Sequence, residues 1–115
     1  MKSTFAIGFG AILLSAAALA AGPFDGSWVG ESPPVGRRCP PNTVMTTITD
    51  GKLTGSYQVG LYKFPIKGTV QPDGTLVGGF MANLPLTGRF SGNQFDGVYT
   101  SKECNSPRRV TMHRG

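Results

Sequence analysis

Phe24-Asp25-Gly26-Ser27-Trp28, Leu53-Thr54-Gly55-Ser56-Tyr57, Ile66-Lys67-Gly68-Thr69-Val70, Leu76-Val77-Gly78-Gly79-Phe80, Leu86-Thr87-Gly88-Arg89-Phe90 and Phe95-Asp96-Gly97-Val98-Tyr99 follow one pattern. Each is apolar, any residue, glycine, any residue, apolar or aromatic. The period is two, so an extended strand turns all three marked positions to one face, whereas a helix would scatter them around its axis. Each copy therefore reads as a strand with two large core residues and a glycine between them. Glycine on a buried strand face marks a tight bend of the sheet or the close approach of a neighbour. A row of such glycines suits a strongly coiled sheet, with aromatic rings from adjacent strands over the gaps. The rival expectation is that the glycines leave room for a ligand inside.

The remaining chain agrees with short strands joined by turns. Thr43 to Thr49 alternates, with Val44, Thr46 and Ile48 on one face, and Asp50-Gly51 is a two-residue hairpin signal. Pro72-Asp73-Gly74 and Ser91-Gly92-Asn93 are further turns. Arg108 to His113 reads as a last strand, with Val110 and Met112 inward. The expected fold is all-β: about eight short strands in an antiparallel meander, closed as an up-and-down barrel or left as a coiled open sheet. The one long irregular stretch is Glu31 to Pro41, where Pro33, Pro34, Pro40 and Pro41 preclude regular pairing.

Residues 1–20 read as a secretory signal peptide. Lys2 supplies the positive start, Phe5 to Leu14 the apolar stretch, and Ala18-Leu19-Ala20 the small-x-small cleavage pattern. The mature chain would run over 21–115 as one small β domain without a transmembrane segment, periplasmic or extracellular. It keeps ten basic and six acidic residues, a net charge that tilts modestly toward acidic partners. In an oxidising compartment Cys39 and Cys104 are expected to pair.

Gly26-Ser27-Trp28, followed after a loop and a strand by Asp50-Gly51-Lys52-Leu53-Thr54-Gly55-Ser56-Tyr57, resembles the opening strands of the avidin and streptavidin family. The resemblance covers the first third of the mature chain and implies a secreted eight-stranded up-and-down barrel. It places Tyr57 at a ligand-contacting position. Gly30 and Val59 stand where that family has polar contacts, and Trp28 is the only tryptophan, so the resemblance does not imply biotin binding.

Catalytic constellations are scarce. His113, the single histidine, lies close to the C-terminus with no carboxylate or serine motif pointing to it. Metal-ligand spacing is absent and no cofactor is expected. The expected class is a non-enzymatic binding module. Arg37 and Arg38 precede Cys39, and Arg108 and Arg109 follow Cys104, so a disulfide would draw four guanidinium groups toward one barrel end. Such a group would suit an anionic envelope component or an acidic protein. Nucleic acid is the least favoured partner, because no exposed aromatic ladder accompanies the charge. Two alternatives are an inhibitor that docks loop 31–41 into a partner, and a carrier whose interior is lined by Trp28, Tyr57, Phe80, Phe90 and Tyr99.

Overall fold

The structure is a computed structural model that describes residues 22–37, 39–101, 104 and 106–115. The expected signal peptide and Arg38 lie outside the described residues. Eight strands follow one another: β1 Gly26–Ser32, β2 Asn42–Thr49, β3 Lys52–Val59, β4 Tyr62–Val70, β5 Leu76–Met81, β6 Leu84–Ser91, β7 Gln94–Ser101 and β8 Ser106–Arg114. Each pairs antiparallel with the next, and β1 pairs with β8 to close the barrel. Among the described residues there is no helix. The closed form of the expected fold is therefore the one found.

Alternation decides which side chains fill the barrel. Val44, Ile48, Leu53, Tyr57, Ile66, Leu86, Phe90, Phe95, Tyr99, Val110 and Met112 are all buried in one core cluster. Two kinds of glycine make the curvature possible. Gly88 and Gly97 are register partners on β6 and β7, and the Phe95 ring lies over both. A Cβ built on either would come within 2.6 Å of that ring's Cζ. On β3, Gly55 lets two backbones approach, since a Cβ there would lie 2.6 Å from Thr46 Cα. The gaps left by these glycines are thus filled by the protein itself.

One copy of the pattern departs from the expected alternation. The register between β4 and β5 shifts between Lys67 and Thr69, and Gly78 takes φ +60°. This β-bulge inserts one extra residue and reverses the facing of everything after it. Gly79 and Met81 turn inward, while Phe80 turns outward opposite Lys67, whose Nζ sits 5.9 Å from its ring centroid. Phe80 is thereby corrected from interior lining to outer face.

The two barrel ends differ. At the end holding the Asp50-Gly51 turn, Trp28 packs edge-on against Phe90 at 4.8 Å and Phe90 against Phe95 at 4.5 Å. Phe24 lies against Phe90 at 5.8 Å. Arg114 ties this end together. It donates to Asn93 Oδ1 (2.9 Å), the Pro23 carbonyl (2.9 Å) and the Asp25 carbonyl (3.0 Å), with its guanidinium 5.1 Å from the Trp28 ring centroid. The Asp25 carboxylate accepts from the backbone N–H groups of Asp50 (2.7 Å) and Gly51 (3.2 Å), holding the hairpin turn. This end is shut by packing.

Candidate functional site

The opposite end carries the β3–β4 turn at Gly60 and Leu61, the β5–β6 turn at Ala82 and Asn83, and the loop between β1 and β2. There the strands run on beyond the packed core. Tyr62 and Phe64 keep the inward parity of Ile66 but stand above the level at which the barrel is filled. The result is an open cleft of about 530 Å³. Its walls are mainly apolar: Tyr57 and Val59 from β3, Tyr62 and Phe64 from β4, Leu84 from β6 and Tyr99 from β7. Tyr57 and Phe64 stack at 5.2 Å, and Tyr57 and Tyr99 approach to 6.5 Å. Leu61 is 97% exposed and Tyr62 72%, so the rim presents apolar surface to solvent.

One wall is polar. Asn42 is buried and its Nδ2 donates to Tyr99 Oη at 3.1 Å. Arg108, facing inward in step with Val110 and Met112, is only 4% exposed. Its Nη2 donates to the carbonyls of Pro33 (2.7 Å) and Pro40 (2.9 Å), which pins the Pro-rich loop to the barrel. The loop is fixed further by the Cys39–Cys104 disulfide, with Cα atoms 5.6 Å apart, and by an isolated bridge between Val35 and Cys39. Asn42 Oδ1 and Arg108 Nε are buried without a hydrogen-bond partner among the described residues. A disulfide is compatible with an oxidising compartment.

These positions divide the arginines that the sequence brings toward this end. Neighbours along a strand point to opposite faces, so Arg108 enters the mouth while Arg109 lies on the outside. Arg109 makes a two-pronged contact with Asp96, Nε to Oδ1 at 2.9 Å and Nη2 to Oδ2 at 2.7 Å. The hydrogen bonds from Arg109 hold the Asp96 carboxyl below its ordinary value, and Asp96 raises Arg109 in turn. Arg37 is exposed on the loop. Arg37, Arg108 and Arg109 are thus not gathered into one site.

The interior set divides as well. Trp28 and Phe90 belong to the shut end, Phe80 to the outer face, and only Tyr57 and Tyr99 reach the cleft. His113 is exposed on the outside of β8, opposite Val29 and Gln94. Asn42, Phe64 and Leu84 are mouth residues that the sequence pattern did not single out. The alternation of Asn42 with Val44, and of Leu84 with Leu86, was the available signal.

No protein-family model matches the chain, and no curated protein or solved structure matches it either. Of the avidin-like expectation, the eight-stranded antiparallel closed barrel is what the structure shows. Among the described residues, no helix is long and apolar enough to cross a membrane.

Proposed function

We propose that this protein is an exported, non-enzymatic binding module that holds a small, largely apolar molecule in the open mouth of its barrel. The observation that carries this reading is the contrast between the two ends. One is packed with aromatic rings, and the other holds an aromatic-walled cleft of about 530 Å³, within the usual range of ligand sites. The polar groups lining it are Asn42, Asn83, Ser101, Arg108 and the hydroxyls of Tyr57, Tyr62 and Tyr99, with no histidine or carboxylate among its described residues. Binding, not turnover, is what such a lining supports.

The test is a titration with the neutral fluorophore N-phenyl-1-naphthylamine. Saturable 1:1 enhancement is expected, weakened about tenfold or more by Leu84→Asp, which places a charge in the apolar wall. The outer-face substitution Val77→Ala should leave the titration unchanged. No enhancement, or equal binding by all three proteins, would sink the reading.

The pinned loop favours a second role. With Pro33, Cys39 and Pro40 all anchored, it presents Val35 and Arg37 outward in a preset shape suited to a protein groove. Substituting both with Ser should then abolish capture of the partner protein while leaving mouth binding intact.

A further inference from the structure

Resting on the mouth as a ligand site, we infer that its ligand is an anionic amphiphile, an apolar body carrying a carboxylate or equivalent group that lies toward Arg108. A guanidinium cannot shed its proton in a protein, so a buried arginine keeps its charge in a poorly solvated place. Arg108 is such a group, and two carbonyl dipoles are its hydrogen-bond acceptors. The sole salt bridge among the described residues belongs to Arg109 and Asp96 on the outer face. Among them the charge of Arg108 is therefore balanced by no carboxylate, and its Nε has no acceptor.

The surroundings sharpen the effect. Tyr99 lies beneath the guanidinium at 6.0 Å, and the facing walls are Tyr57, Phe64 and Leu84. Between apolar walls a charge is screened far less than on the surface, so Arg108 attracts an anion across the cleft without direct contact at Nε. Asn42 Oδ1, joined to the same wall through Tyr99, lacks a donor among the described residues. Among the described residues the wall thus carries a positive charge that no carboxylate offsets, and a negatively charged head group in the cleft would offset it. Arg109, its neighbour in sequence, has a full partner and open solvent, and carries no such demand.

The experiment is displacement of N-phenyl-1-naphthylamine from the mature, oxidised protein by decanoate, decanol and decylammonium. Decanoate should bind about tenfold or more tightly than decanol, and decylammonium weakest. The order should persist at about 0.5 M salt, where surface attraction is largely screened. Arg37→Gln should preserve it. Arg108→Met, which keeps an apolar stem, should abolish the preference for decanoate over decanol.

Equal affinity for the three would overturn the inference and leave the mouth reading standing. Failure of the fluorophore to bind would remove both. A preference that vanishes with salt, or survives in Arg108→Met, would assign it to surface charge and overturn the inference. If Arg108→Met does not fold, the wild-type series and its salt dependence decide.

Discussion

Replacing Gly30 with Ala should open the barrel at its closing seam. Gly30 pairs with Val44 on β2 and with Met112 on β8, in a seam of four register pairs between the first and last strands. A Cβ built there falls on the Thr111 carbonyl oxygen and 2.6 Å from Met112 Cα. Both atoms are backbone, so no rotamer change relieves the overlap. Restoring ordinary contact requires the strands to part by on the order of 1 Å, more than a ladder hydrogen bond tolerates. Overpacking costs about 1–3 kcal/mol, and losing two ladder bonds adds about 1 kcal/mol each. The sum, about 3–5 kcal/mol, is a large part of a small domain's stability and corresponds to a fall in Tm of at least ~12 °C.

Urea unfolding followed by Trp28 emission measures it, since Trp28 is buried on the same strand. Gly36→Ala is the comparison. Its Cβ would meet nothing within 4 Å, and only φ +63° opposes it, for about 1 kcal/mol. If Gly30→Ala lies within about 0.5 kcal/mol of wild type, β1 and β8 are not in contact and the barrel is open.

Removing the disulfide as Cys39→Ala with Cys104→Ala frees a link spanning 65 residues, for which chain entropy gives a loss of about 4 kcal/mol in urea unfolding. A loss under about 1 kcal/mol would contradict that account. Because Arg109 depresses the Asp96 carboxyl from its ordinary 3.8, the contribution of this pair is present above that value and fades as pH falls through the lowered one. Asp96→Asn should flatten the acid limb of the stability profile below about pH 4, and an unchanged limb would refute the assignment. Trp28 emission should be blue-shifted, resistant to iodide and unmoved by a mouth ligand, because Trp28 sits at the shut end. A ligand-induced shift would place the site elsewhere.

The strand order and the coiled antiparallel meander were legible because the apolar-x-Gly-x-apolar pattern carries both the period and the means of bending, whereas closure rests on the pairing of the first strand with the last, which no local pattern states. What escaped was a single extra residue. Gly78-Gly79 gives two readings of the same strand, and only pairing with β4 shows that the bulge falls at Gly78 and sends Phe80 outward. Pro65 partly conceals the mouth in the sequence, because it argues against a strand through Tyr62 to Phe64, although proline is tolerated in a strand where its missing donor is not needed. Arg108 was legible as one of an arginine pair, and counting by twos back from Met112 and Val110 is what separates the two, placing Arg108 inside and Arg109 outside. Which end of the barrel is filled depends on how Trp28, Phe90 and Phe95 meet across four strands, and no local pattern encodes that.

An even number of up-and-down strands returns the chain to the end from which it set out. Here Gly22 lies beside the Asp25 carboxylate and Gly51, and the Gly115 N–H donates to the Ser27 carbonyl at 2.9 Å, so both ends of the described barrel meet at its shut face. An attachment made at Gly22 or Gly115 leaves the mouth pointing away from the support. Joining these two ends of the described barrel by a short linker and reopening the chain at Gly60 would move the new ends onto the rim of the mouth.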